Sequence, residues 1–329
     1  KSIALVVAAP CTAAGVAVAA ERPRCNGLNL IDKLAATDPA VHARILAASD
    51  ALENDRTVFW KLDRPGTAPS YLFGTVHLTD RRVTRLSTGV KNAIGTARTL
   101  LIENMDLSSE ASSAAYTSAM RFAVFTDGRS LDQLLSRAEF DKVLTATGGM
   151  PASLVRLYRP WMVSLMLSAS ECERTRIRKG HDVLDLALVR RARDIGKPVS
   201  GLETTADQLA ALAAIPDEEQ IDILRANIAL VDEAENLRET MVQLYLARRI
   251  GALWELQLAL SEKAGVRASA YASFERIIIV ERNRTMRDSA LPHLEKGGAF
   301  IAVGALHLPG KTGLVELFRE AGYTVTPVE

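Results

Sequence analysis

Two histidines in this 329-residue chain sit in the same short pattern. Tyr71-Leu72-Phe73-Gly74-Thr75-Val76-His77-Leu78 and Ile301-Ala302-Val303-Gly304-Ala305-Leu306-His307-Leu308 each run from an apolar segment through Gly and two residues to His-Leu. Neutral imidazoles from separate strands, joined by one or two carboxylates, form a ligand set that zinc, manganese, cobalt or iron accepts. The carboxylates on offer are Glu103, which closes the apolar run Thr99-Leu100-Leu101-Ile102, and Glu203, which closes Val199-Ser200-Gly201-Leu202. An acid at the end of a buried strand must be compensated by a metal, an arginine or a proton. Arg282 is the natural cationic partner, and a plain salt bridge is the competing explanation for each acid. For each histidine the competing explanation is a buried ring bonded to main-chain oxygens. Gly74 and Gly304 fit either reading, since glycine lets a backbone turn sharply or come close to a ligand. Asp80, three residues after His77, can cap the next helix or reach the same crevice.

A rival motif overlaps the second pattern. Ala305-Leu306-His307-Leu308-Pro309-Gly310-Lys311-Thr312 is a loosened phosphate loop. Pro309 has no N–H to turn onto a phosphate, and too little chain follows Thr312 for a magnesium-binding acid on another strand. Nucleotide binding is set aside. The chain also lacks Gly-x-Ser-x-Gly, His-Glu-x-x-His and Gly-x-Gly-x-x-Gly, the signatures of serine hydrolases, zincins and dinucleotide-binding folds.

The elements that must carry these residues can be read from spacing. Asp38-Pro39 opens a helix whose apolar positions are Val41, Ile45, Leu46 and Leu52. Residues 58–62 and 70–75 read as strands joined through Pro65-Gly66, a β-hairpin. A helix is expected over 84–96, a buried strand over 99–103, helices through 108–195, and another strand over 197–203. The region 204–296 reads as helical, with Trp254, Leu256, Leu258 and Leu260 as core. Strand 299–303, a helix over 313–321 and a strand over 323–328 complete an α/β pattern. In such sheets ligands bind beyond the carboxyl ends of the strands, which is where both histidines fall.

With 48% hydrophobic residues the chain can bury a substantial core, and 40 basic against 39 acidic side chains leave no charge imbalance to attract nucleic acid. Residues 1–20 run from Lys1 through an apolar stretch to Ala-Val-Ala-Ala before Glu21-Arg22-Pro23, the plan of a cleaved signal peptide, with a membrane anchor as the alternative. Export to the periplasm or the exterior follows. An oxidising compartment would let Cys25 and Cys172 pair; two separate buried thiols are the alternative.

Taken in order, Ser70-Tyr71-Leu72-Phe73-Gly74-Thr75-Val76-His77, the strand acid Glu103, Gly201-Leu202-Glu203-Thr204 with Gln208, Arg282-Asn283 and Gly304-Ala305-Leu306-His307 resemble the TraB/GumN (TraB/PrgY/GumN, TIKI-like) family. The start at Cys25-Asn26-Gly27-Leu28 and the later Cys172 are similar to its exported bacterial branch. The resemblance implies a mixed central β-sheet flanked by helices with a large helical insertion, an erythromycin-esterase/ChaN-like core, in one domain over 21–329 with insertions at about 108–195 and 204–296. It also implies a divalent metal (Zn, Mn, Co or Fe) on His77, His307 and Glu103, with Glu103, Glu203, Arg282 and Asn283 at the catalytic centre. Animal members behave as membrane-tethered metalloproteases. The expected activity is therefore hydrolysis of a peptide, protein or small ester, with Glu203 or Asp80 as base and Arg282 steadying an oxyanion. Two alternatives stand beside it: a metal-free esterase-like site using one His as base, and a non-catalytic periplasmic module binding haem, metal or a protein partner.

Overall fold

The computed structural model of the protein describes residues 25–104 and 120–328. The leader expected over 1–20 and the opening of the first insertion, 108–119, lie outside these residues. Six strands form one mixed sheet: β1 (Phe59–Asp63), β2 (Ser70–Thr75), β3 (Thr99–Asn104), β4 (Val199–Glu203), β5 (Ala299–Gly304) and β6 (Thr324–Pro327), in the spatial order β4-β3-β5-β2-β1-β6. β4, β3, β5 and β2 run parallel, and β1 pairs antiparallel with both β2 and β6. The expected hairpin is present as β1–β2, with Phe59 opposite Phe73 and Leu62 opposite Ser70.

Alternation along the strands separates two cores. Phe73, Leu100, Ile102, Phe300 and Ala302 face the helices Thr88–Thr96 and Leu184–Asp194 through Val90, Ile94, Leu184 and Leu188. Leu72, Leu101, Ile301 and Val303 face the helix Arg282–Leu294 through Met286 and Ala290, and helix Leu314–Glu320 through Phe318. β5 is covered on both faces, which is why its sequence is continuously apolar rather than alternating.

Within the described residues, both long excursions from the sheet are mainly helical. Helices from Leu131–Leu134 to Leu184–Asp194 lie between β3 and β4, and part of this segment packs around Leu131, Val143, Val155 and Val163 together with Leu224 and Ile228 of the helix Asp217–Leu230. Between β4 and β5 the chain runs through helices Thr205–Ala213, Asp217–Leu230, Ala234–Leu246 and Ile250–Lys263. It then makes a wide π-helical turn, Glu275–Glu281, that leads directly into helix Arg282–Leu294. Among the described residues no helix is long and apolar enough to cross a membrane.

One expected helix starts four residues later than read. The helix expected over 84–96 is Thr88–Thr96, whose preceding Ser87 side chain accepts from Val90 N–H, and a separate short turn, Arg81–Thr84, comes before it. The Asp38 start is as read: its side chain accepts from Val41 N–H and Pro39 takes the first helical position. Cys25 and Cys172 form a disulfide across 147 residues of sequence, joining the N-terminal segment to helix Glu171–Arg178.

Candidate active site

The carboxyl ends of the four parallel strands place four of the expected residues side by side. Going across the sheet from its edge they are Glu203 on β4, Glu103 on β3, Gly304 leading to His307 after β5, and Thr75 leading to His77 after β2. Register keeps these ends level, since Asn104 lies opposite Glu203 and Thr75 opposite Gly304.

Glu103 is the hub. Its Oε1 accepts from the Gly304 N–H at 2.5 Å and faces His307 Nε2 at 3.6 Å, while its Oε2 accepts from Arg282 Nη2 at 3.0 Å. Gly304 is required here for close approach: a Cβ at that position would stand 3.1 Å from Glu103 Oε1. Burial opposes the charge on Glu103, but His307, Arg282 and His77 together outweigh it and hold the carboxyl at about 2. Gly74 is likewise a close-approach position, because its Cβ would meet Ala305 Cα at 3.0 Å.

Arg282 joins the two strand acids. Its Nε donates to both Glu203 oxygens, at 3.2 and 3.0 Å, and Nη2 donates to Glu203 Oε2 at 2.7 Å as well as to Glu103. The ion pair with Arg282, which the sequence offered as the competing explanation for each acid, is therefore present for both. Gln208 Nε2 reaches Glu203 Oε2 at 3.4 Å and its carbonyl accepts from Asn104 Nδ2, so the edge acid is also tied to the buried end of β3.

The two imidazoles are held alike in unlike surroundings. His307, 5% exposed, has its Nδ1 2.7 Å from Asn283 Oδ1, and Asn283 Nδ2 in turn donates to the Thr312 carbonyl. With the amide N–H spent on that carbonyl, Oδ1 is an acceptor, so His307 Nδ1 carries the proton and Nε2 bears the lone pair directed at the Glu103 side. Burial pushes His307 down to about 4. His77 has its Nδ1 2.8 Å from Asp185 Oδ2, and Thr75 Oγ1 donates to the other oxygen, Oδ1, at 2.5 Å. The Asp185 carboxylate raises His77 to about 9, and the side chain is 69% exposed. His77 is thus the open side of the site and His307 its floor.

Other candidates take supporting places. Asn283 orients His307 rather than facing a substrate. Asp80 caps the turn Arg81–Thr84 and is ion-paired to Arg82 and Arg238, which keep its carboxyl far below the usual range. Asp185 and Tyr245 were not expected. Asp185 lies in the first turn of helix Leu184–Asp194, where an acid reads as ordinary complement to the helix dipole. Tyr245, buried in helix Ala234–Leu246, donates its hydroxyl to the Gly74 carbonyl at 2.7 Å.

Among the described residues no three His, Cys, Asp or Glu side chains already stand as a closed metal-ligand group. The donor chemistry nevertheless fits one. Metal-binding histidines almost always give their second ring N–H to a carboxylate or carbonyl, as His77 does to Asp185 and His307 to Asn283, and Glu103 adds a carboxylate beside the buried ring.

The sequence matches the TraB/PrgY/gumN family over residues 58–327. Two similar proteins, each described as "Uncharacterized protein YbaP", come from Shigella flexneri and Escherichia coli (strain K12). Both are 24% identical over 257 residues, spanning 78% of this chain and 89% of the relative. No solved structure matches. Because the family match takes in all six strands and both Gly-x-x-His turns, the chain belongs to the TraB/PrgY/gumN family.

Proposed function

We propose that the protein is a metal-dependent hydrolase of peptide or ester bonds, with His77, His307 and Glu103 as the ligands of a divalent ion. The observation that carries the reading is the common anchoring of the two rings through Nδ1, to Asp185 and to Asn283. That arrangement leaves Nε2 of each ring as the donor. A zinc, manganese, cobalt or iron ion held there would supply Lewis acidity toward a carbonyl oxygen and acidify a water molecule.

The chain's own residues have separable tasks. Arg282 keeps Glu103 ionised and oriented, and its Nη1, which among the described residues has only the Ile278 carbonyl at 3.5 Å, is the guanidinium edge that would steady a developing oxyanion. Glu203 fixes that guanidinium by accepting from Nε and Nη2, so it serves as an orienting group instead of a base. Asp80, spent in its own ion pairs, is dropped as a base as well. A metal-free variant has one observation behind it: with His77 raised to about 9 by Asp185, its ring is an imidazolium at neutral pH and could protonate a leaving group. The disulfide supports a periplasmic or secreted setting.

The test is elemental analysis of protein purified without an affinity tag, followed by a broad panel of peptide and ester substrates. The expected result is one divalent ion per chain and a hydrolytic activity that His77→Ala and His307→Ala both abolish. Activity retained without metal selects the imidazolium variant. Stoichiometric metal with no turnover of any substrate selects a binding module, and neither metal nor turnover overturns the proposal.

A further inference from the structure

The turn that carries His77 is gripped by a helix that the disulfide tethers. Thr79 is completely engaged: its N–H and Oγ1 donate to Glu173 Oε2 at 2.9 and 2.7 Å, while Arg176 donates from Nε to Thr79 Oγ1 at 2.8 Å and from Nη2 to the Thr79 carbonyl at 2.7 Å. Thr79 and Glu173 are both buried. Glu173 and Arg176 belong to helix Glu171–Arg178, the helix that contains Cys172. A few residues on, Leu184 N–H donates to the Leu78 carbonyl and Asp185 takes the His77 ring. The first Gly-x-x-His turn is therefore placed from outside by the helical insertion.

The other end of the disulfide lies on the same assembly. From Cys25 the N-terminal segment runs along helix Ala234–Leu246. Arg238 Nη2 donates to the Cys25 carbonyl at 3.3 Å, Asn236 Oδ1 accepts from Leu28 N–H at 2.7 Å, and Glu235 Oε1 accepts from Cys172 N–H at 2.8 Å. Gly27 lies so close to that helix that a Cβ would be 2.0 Å from the Glu235 carbonyl oxygen. Arg238, 4% exposed, also pairs with Asp80 at 3.1 Å. The disulfide thus joins the N-terminal segment to the gripping helix, and hydrogen bonds and an ion pair bring the helix of Arg238 to both and to Asp80.

We propose that Glu173 and Arg176 are positioning residues for His77, acting through Thr79, and that their grip depends on the Cys25–Cys172 bond being intact. The inference rests on the metal-site reading for its functional meaning, though not for its geometry. In a reducing compartment a dithiol passes two electrons and two protons to the disulfide, which becomes two thiols while the dithiol closes to its own cyclic disulfide. The helix start then loses its tie to residue 25, and the His77 turn loses its fixed frame while the sheet, with Glu103 and His307, keeps its own. A site of this kind is complete only after oxidation, so it is inactive before export.

Imidazole ¹H–¹⁵N spectra of metal-free protein test this, with His77 and His307 assigned from His77→Gln and His307→Gln. Adding a dithiol, or making Glu173→Ala or Cys25→Ser/Cys172→Ser, is expected to shift and broaden the His77 ring signals and leave those of His307 in place. Glu173→Gln, whose amide oxygen still accepts from Thr79, should restore much of the wild-type spectrum. Val143→Ala, in the core of the helical segment between β3 and β4, controls for loss of stability alone and should move neither ring. Unchanged His77 signals in the reduced or Glu173→Ala protein would overturn the proposal, as would His77 and His307 moving together. Zinc titration forms the second arm: an increase in Kd of about 10–100-fold on reduction is expected for a lost supporting contact. Failure of the oxidised wild type to bind zinc would count against the metal reading alone, since the ring spectra judge the grip independently.

Discussion

Replacing Arg282 by methionine should expose how the two strand acids are held. The substitution keeps most of the stem but leaves Glu103 and Glu203, 12% and 3% exposed as side chains, without their shared cation. Removing one partner from a buried ion pair costs about 3–5 kcal/mol, because the group left behind stays desolvated. The wild-type value can be approached from the other side. A carboxyl moved from its ordinary 4.5 to about 2, as Glu103 is, stabilises the fold by about 3 kcal/mol once ionised in both states. Because the folded value is the depressed one, that stability is complete above pH 4.5 and is lost as pH falls toward 2.

In Arg282→Met the order of effects on Glu103 changes. Burial, which already raises its pKa more than any single charge lowers it, is no longer opposed by the guanidinium. The folded carboxyl then takes up a proton at a pH where the unfolded one has released it, so the variant gains stability as pH falls from 7 to 4.5 while the Glu103 contribution in the wild type stays flat. Urea unfolding followed by circular dichroism at the two pH values, with a chelator present, gives the comparison. The expected penalty is about 3–5 kcal/mol at pH 7 and roughly half of that or less at pH 4.5. An equal penalty at both pH values would mean that packing, not charge, is lost. A penalty below about 1 kcal/mol at pH 7 would mean that the acids are solvated or already neutral. Either result refutes the account of Arg282 as their compensating cation.

Asp185→Asn removes the charge that raises His77, so its pKa, followed by NMR, should fall from about 9 toward the ordinary 6.5. The stability at stake is present below pH 6.5 and lost as pH rises through 9, but a 69% exposed side chain limits it to about 1 kcal/mol or less. With His77 charged and His307 neutral at pH 7, binding of a divalent ion should release about one proton, read by calorimetry in buffers of different ionisation enthalpy; a release near two or near zero contradicts the assigned states. Gly304→Ala puts a methyl 3.1 Å from Glu103 Oε1 and should cost about 1–3 kcal/mol in urea unfolding and weaken metal binding, with an unchanged affinity arguing against Glu103 as ligand. Cys25→Ser/Cys172→Ser opens a link across 147 residues and should lower stability by about 2–5 kcal/mol in the same assay.

What could be read from sequence were residues whose type contradicts their surroundings. Glu103 and Glu203 end apolar runs, and that conflict called for a compensating metal, arginine or proton, with Arg282 as the candidate cation. Repetition of Gly-x-x-His marked two strand ends that turn out to be level neighbours, Thr75 opposite Gly304. What stayed hidden had a sufficient local explanation. Asp185 looks like any first-turn acid. The expected helix over 84–96 in fact starts at Thr88, after a separate turn at Arg81–Thr84. Its signal was Ser87, a capping residue inside an apparent helix. Strand order was equally out of reach: β5, distant in sequence, enters between β2 and β3, and nothing local in Ala299–Gly304 names its partners.

β5 and β2 are the two middle strands of the six, so the unlike fates of the two histidines come from what surrounds each turn, not from strand order. The ring after β5 is buried against Asn283 and pushed down to about 4, whereas the ring after β2 is exposed and paired with Asp185. Glu103 lies on the strand beside β5 and raises His77 as well as facing His307. Asp185 and Glu203, neither of which is a ligand in the proposed site, therefore act on it at one remove: Asp185 by raising His77, and Glu203 by holding the guanidinium that pairs with Glu103.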